Sequence, residues 1–212
     1  MSSADAGFDR VAAFYDPLAR LVFGNALRLA QQAALASLPP GSPRVLIIGG
    51  GTGWVLGEVL LRRPEARVLY LEASAVMLAK SRETLQQRAA SHSGQVEFRL
   101  GTEQALRPTE SFDAVVTFFF LDLFEPRRLQ VIVERLNHAR RPGAPWLLAD
   151  FRPVRSLWQR TLLLVMYRFF RLTTGISGRT MPDLHRALAA AGLTQHRQEL
   201  FFRGMVEAAV FA

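Results

Sequence analysis

The residues with the clearest chemical potential are glycines. Gly49, Gly51 and Gly53 alternate through Gly49-Gly50-Gly51-Thr52-Gly53, directly after the apolar run Val45-Leu46-Ile47-Ile48 and before a helical repeat of apolar residues. Without a Cβ, such a turn bends sharply and lets its backbone approach a ligand closely. The helix opening near Trp54 presents free N–H groups and the positive end of its dipole to that ligand. About 20 residues on, Glu72 closes a second apolar run, where an acidic side chain accepts both hydroxyls of a ribose. The pattern predicts a site for a small nucleoside cofactor, and its register narrows which one.

A dinucleotide turn sets its third glycine three residues after the second. That position here is Trp54, too bulky for close helix–strand packing. The run Gly50-Gly51-Thr52-Gly53-Trp54-Val55-Leu56-Gly57 is similar to the GGTGxxG turn of short-chain dehydrogenases, but its last glycine comes one residue late. The tyrosine that this family places four positions before a lysine is also missing, since the only lysine is Lys80 and position 76 is Val76. A phosphate-cradling loop would end in Gly-Lys-Ser/Thr, which does not occur.

The chain resembles the class I S-adenosylmethionine-dependent methyltransferases over almost its whole length. Val45 to Gly53 is similar to their first motif, and Val68-Leu69-Tyr70-Leu71-Glu72 to their second strand with its ribose-binding acid. Phe112-Asp113-Ala114-Val115-Val116-Thr117 resembles the fourth strand, and Arg141-Pro142-Gly143 the loop into the fifth. The opening Phe8-Asp9-Arg10-Val11-Ala12-Ala13-Phe14-Tyr15-Asp16-Pro17 resembles the N-terminal cap of the ubiquinone/menaquinone and phospholipid methyltransferase group. The resemblance implies S-adenosylmethionine as cofactor and S-adenosylhomocysteine as product. The cofactor set it implies is Gly49, Gly50, Gly51, Gly53, Glu72, Ala73, Thr102, Glu103 and Thr117.

Two positions depart from that pattern. Family members usually carry an acid two residues before the first glycine, where this chain has Ile47. The acid that commonly meets the adenine amine maps to Thr102, with Glu103 one position away as a substitute. Ile47-Ile48-Gly49-Gly50-Gly51 also resembles the polyamine synthases, which transfer an aminopropyl group. Those enzymes grip their amine with aspartate at the end of strand four, whereas Phe118-Phe119-Phe120 would be a poor host for a polyamine. Loss of both acids makes a cofactor-binding protein without turnover the competing class.

Because the methyl of a sulfonium is already activated, such an enzyme mainly aligns its acceptor and excludes water. A base is required only where the acceptor must lose a proton. The candidates are Asp122 after strand four, Asp150 after strand five, and Tyr15 with Asp16 in the N-terminal cap; His185 and Tyr167 are weaker. Asp122 also suits a helix cap, and Asp150 suits an ion pair with a nearby arginine. Phe118, Phe119 and Phe120 suit an acceptor wall, although an aromatic run is usually core.

Composition bounds the rest. Half of the 212 residues are apolar, enough for a single domain with a sizeable core. There is no cysteine, and the four histidines, His92, His138, His185 and His196, show no metal-ligand spacing. Met1 to Gly7 is small and polar and carries no signal pattern, which predicts a cytoplasmic address. The formal charge is +8, and every basic residue but Lys80 is arginine. Arginine-rich surfaces need no partner, but they also suit a membrane surface or anionic amphiphile. Nucleic acid is disfavoured, because no Asn-Pro-Pro-Tyr type motif follows strand four. Between Arg155 and Arg171, apolar and aromatic residues interleave with arginines. That stretch is shorter than the ~20 residues that span a bilayer, and it suits a lid helix over the site that can also rest on a membrane.

The elements that would position these residues alternate strand and helix, the signature of a parallel sheet covered on both faces. Helices are expected at 7–22 and 25–37, then a strand at 44–48, a helix at 53–63, a strand at 67–72 and a helix to about Ala90. Strands follow at 95–100 and 112–119, a helix from Pro126 to Arg140, a strand at 145–150 and a helix at 181–191 before Gly192. Runs at 194–202 and 205–211 meet at Arg203-Gly204 as an antiparallel hairpin. The expected fold is α/β, a Rossmann-like, mostly parallel seven-stranded sheet with helices on both faces and that C-terminal hairpin. One domain over 1–212 would carry an N-terminal helical cap (1–40) and a lid-like insertion (151–180).

Overall fold

The computed structural model describes residues 22–153, 159, 161 and 182–212. The expected helix at 7–22, all but residue 22, lies outside them, as does most of the 151–180 insertion.

Among the described residues, helix α1 (Ala26–Leu35) leads into strand β1 (Arg44–Ile48), then α2 (Trp54–Arg62), β2 (Arg67–Glu72), α3 (Ala75–Ala89) and β3 (Val96–Leu100). Strand β4 (Ala114–Phe118), α4 (Pro126–Ala139), β5 (Trp146–Phe151) and α5 (Leu184–Ala190) follow, and β6 (Gln195–Phe201) and β7 (Val206–Phe211) close the sheet. The strand order is β3-β2-β1-β4-β5-β7-β6. The first five strands run parallel, while β7 lies antiparallel between β5 and β6. The terminal hairpin therefore forms as its sequence predicts, with backbone φ positive at Phe202, Arg203 and Gly204 in its turn.

Alternation along each strand divides the core into two layers. Val45, Ile47, Val68, Tyr70, Val116, Leu147 and Val206 face α1, α2 and α3. Leu46, Ile48, Leu69, Leu71, Val115, Leu148 and Phe211 face α4 and α5. Central strands buried on both faces read as continuous apolar runs, which is why β1 and β2 begin and end where the sequence places them.

Strand β4 is shorter than the expected 112–119. Phe119 takes φ of 51°, a left-handed conformation that ends the ladder. Helix α4 starts at Pro126, whose fixed φ and absent N–H suit the first helical position. Helix α5 starts at Leu184, later than expected, because the Asp183 carboxylate caps it by accepting from Arg186 N–H at 3.0 Å.

Strand order reverses between β1 and β4. In open α/β sheets, ligands settle in the crevice beyond the carboxyl ends of the strands at such a switch. The glycine turn and the Phe118–Phe120 segment stand on either side of it.

Candidate active site

The glycine turn leaves β1 through backbone conformations that L side chains avoid, with φ of 67°, 61° and 91° at Gly49, Gly51 and Gly53. Each glycine is needed for a different reason. A Cβ on Gly49 would lie 2.3 Å from the Phe120 ring, and one on Gly50 would lie 2.5 Å from the Tyr70 hydroxyl. One on Gly53 would press the backbone of Ser81 in α3 at 2.9 Å. Gly51 differs, since nothing stands within 4 Å of where its Cβ would be. It is the glycine that faces open space.

Glu72, buried at the end of β2, accepts from Gly51 N–H at 3.2 Å and from Ser74 N–H at 3.0 Å, one bond to each carboxylate oxygen. A carboxylate has about four acceptor positions and can take ribose hydroxyls as well as backbone donors. Ala73 is exposed beside it, and the Ser74 hydroxyl caps α3 by accepting from Met77 N–H at 3.1 Å. These residues converge at the switch point, and the Glu72 carboxylate beside the open cradle fits a ribose-bearing cofactor.

The remaining expected cofactor contacts find other partners. Glu103 is buried, and both of its oxygens accept from Arg128 of α4, at 2.6 and 2.7 Å. Thr102 is exposed and starts a short turn over Glu103–Ala105, its hydroxyl accepting from Gln104 N–H at 3.4 Å. Thr117 is fully buried, and its hydroxyl accepts the Trp146 indole N–H at 2.8 Å. Of these expected contacts, Ala73 and Thr102 are exposed, while the buried Glu103 and Thr117 bond to Arg128 and Trp146.

Asp122 and Asp150, far apart in sequence, meet as a buried pair. Asp150 accepts from Phe151 N–H at 2.9 Å, and its carboxyl is pushed well above the usual range, first by burial and then by the charge of Asp122. Among the described residues, Asp122 sits in the short turn Leu121–Leu123, and the position that caps α4 is Glu125; Asp150 pairs with a carboxyl, and the nearest strand partner across the sheet is Glu207 of β7.

Glu207 is itself buried, accepting from His185 Nε2 at 2.7 Å and Gln198 Nε2 at 2.5 Å, with Arg152 Nε at 3.6 Å. The Glu207 hydrogen bond raises the His185 pKa against the opposing effect of burial. Of the aromatic run, Phe118 is core, Phe119 packs on Phe151 at 5.3 Å between centroids, and Phe120 covers Gly49. Tyr15, Asp16 and Tyr167 lie outside the described residues.

Residues 46–145, the part that holds the glycine turn, β2 and β4, match the family model described as a methyltransferase domain. That stretch, a little under half of the chain, is similar to methyltransferase domains, and the sheet around it has the fold that class I methyltransferases share. Domains of this class use S-adenosylmethionine. Solved structures with the same fold include the mitomycin 7-O-methyltransferase MmcR, with 22% identity and a TM-score of 0.70 over 96% of this chain and 60% of that one. CalO1, a methyltransferase of calicheamicin biosynthesis solved with S-adenosylhomocysteine bound, shows 20% identity and a TM-score of 0.65 over 94% and 56%. A chain of the complex between the Haloferax volcanii Trm112 methyltransferase activator and a methyltransferase shows 16% identity and a TM-score of 0.70 over 97% and 96%. At these identities the likeness establishes the fold. This chain spans about three-fifths of the length of the first of them. No curated protein sequence matches it.

Three contacts around the site carry no motif in the sequence. Tyr70 reads as an apolar strand residue, yet its hydroxyl donates to Gly51 C=O at 2.9 Å. Phe120 stands directly against Gly49. Glu207 carries no motif; its only signal is an acid at the start of an otherwise apolar final strand.

Proposed function

We propose that this chain transfers a methyl group from S-adenosylmethionine to an oxygen or activated carbon of a small lipophilic acceptor, with a quinone precursor or lipid-like molecule as the leading example. The observation that carries the reading is the cradle at the switch point, where Gly51 faces open space with its N–H on the Glu72 carboxylate. When bound, the cofactor supplies a methyl group already activated on a sulfonium. Gly49, Gly50, Gly51 and Gly53 admit it, Glu72 accepts its ribose hydroxyls, and Ala73 and Thr102 border its base.

On the acceptor side, Phe119 and Phe120 give an apolar wall beyond β4. Such a wall excludes water and favours a flat or oily acceptor over a charged amine. Burial and the charge of Asp122 raise the Asp150 carboxyl, and this Asp122–Asp150 pair is the candidate base for an acceptor hydroxyl. Tyr15 of the N-terminal cap is a further candidate, and the 155–171 segment is the candidate lid and membrane-contact stretch; Tyr15 and all of that segment but Gln159 and Thr161 lie outside the described residues. Among the described residues no helix is long and apolar enough to cross a membrane.

Calorimetric titration with S-adenosylmethionine, S-adenosylhomocysteine and NADH tests the cofactor half of the reading. Micromolar binding of both sulfur nucleosides and none of NADH is expected. Release of S-adenosylhomocysteine in the presence of hydroquinones, phenols or lipids tests the acceptor half. Binding without product from any of them would favour a cofactor-binding protein that has lost turnover.

A further inference from the structure

Strand β1 brings only apolar side chains to the base of the glycine turn, and Ile47 is buried where related motifs carry an acid. The polar support comes from the neighbouring strand. Tyr70 is the register partner of Ile47 in the parallel β1–β2 pair, and both side chains lie in the same core layer. Residues two apart on a strand point the same way, so Tyr70 and Glu72 rise together towards the turn. They grip one residue from both ends. Glu72 accepts Gly51 N–H at 3.2 Å, and Tyr70 Oη donates to Gly51 C=O at 2.9 Å.

We infer that Tyr70 is a positioning residue of the cofactor cradle, fixing Gly51 from β2 in place of an acid on β1. Gly50 makes the contact possible, because any Cβ there would overlap the end of the Tyr70 ring. Burial and the nearby Glu72 charge both drive the phenol pKa well above its ordinary value, so the hydroxyl stays protonated and remains a donor. The other end of the turn is held by Gly53 against the Ser81 backbone and by the Thr84 hydroxyl donating to Thr52 C=O at 2.8 Å, and the Tyr70 hydroxyl also meets the Ser81 side chain and the Gly53 backbone. Tyr70 thus controls the one glycine that faces the open cradle. Its hydroxyl acts before any ligand arrives, by keeping the Gly51 peptide groups in one orientation.

This inference rests on the cofactor reading above, and Tyr70→Phe isolates it by removing one oxygen while keeping the ring. Two readouts apply. S-adenosylhomocysteine affinity, measured by calorimetry, should fall roughly 5- to 30-fold, the loss expected when a buried carbonyl is deprived of its donor. KM for S-adenosylmethionine should rise by a similar factor with kcat at saturation unchanged. Amide exchange across residues 49–54 should accelerate without a matching change in α4 and β5. Equal affinity within twofold together with unchanged exchange across the turn would overturn the inference. If the unmodified chain itself fails to bind the nucleoside, the cofactor reading falls, and the exchange comparison alone still decides whether Tyr70 holds the turn.

Discussion

Replacing Glu72 with alanine removes the group on which the nucleoside site depends. Its carboxylate accepts two backbone N–H groups, from Gly51 and Ser74, and can take ribose hydroxyls as well. A hydrogen bond to a charged partner contributes about 1.5–3 kcal/mol. Losing two at the low end weakens the cofactor by about 3 kcal/mol, or roughly 100-fold. Fold stability should change far less, because the variant deprives two backbone N–H donors of their acceptor but also sheds the cost of a buried carboxylate. The assay is calorimetric titration of Glu72→Ala with S-adenosylhomocysteine, accompanied by a thermal melt. A variant that melts like the parent and binds within threefold of it would refute the reasoning, since the ribose would then lie elsewhere than at the end of β2.

Three further outcomes follow from the geometry. Gly51→Ala and Gly53→Ala should separate binding from folding: the first places a methyl in the open cradle and costs affinity at about 1 kcal/mol of backbone strain, while the second also strikes the Ser81 backbone and should lower the melting temperature as well. Glu110 accepts from Arg99 at 2.7 and 2.8 Å and from Arg107 N–H at 2.8 Å, and Arg99 above all pulls its carboxyl down to about 2. Its stabilisation is therefore complete above the ordinary carboxylate value and lost as pH falls towards 2, so melts of Glu110→Gln and the parent should differ by about 2 kcal/mol at pH 7 and converge in acid. His185, raised chiefly by Glu207, with Arg152 opposing and Asp183 assisting, contributes stability below its ordinary value of 6.5 and loses it as pH rises through the raised one. The melting difference between the parent and His185→Gln should accordingly shrink from pH 6 to pH 8, and Glu207→Gln should abolish that trend.

The sequence by itself determined the sheet and the cradle. Strands β1 and β2 are continuous apolar runs because both of their faces are buried, so period and punctuation mark their ends. The glycines of the turn are legible because only glycine tolerates positive φ there, and Glu72 because an acid that ends an apolar strand has few other uses. Where partners come from distant elements, one chain of letters offers no such signal. Glu103 and Thr117 look like cofactor contacts until α4 and β5 deliver Arg128 and Trp146 to them. Asp122 and Asp150 look like independent acids until the turn after β4 sets one beside the other at the end of β5, and burial then moves a carboxyl that would be ordinary in water. Tyr70 looks like core because its ring is core; only the lateral pairing of β1 with β2 and the bare Cα of Gly50 bring its hydroxyl to Gly51. Local chemistry is written along the chain, whereas the choice of hydrogen-bond partner belongs to whichever groups packing brings within 3 Å.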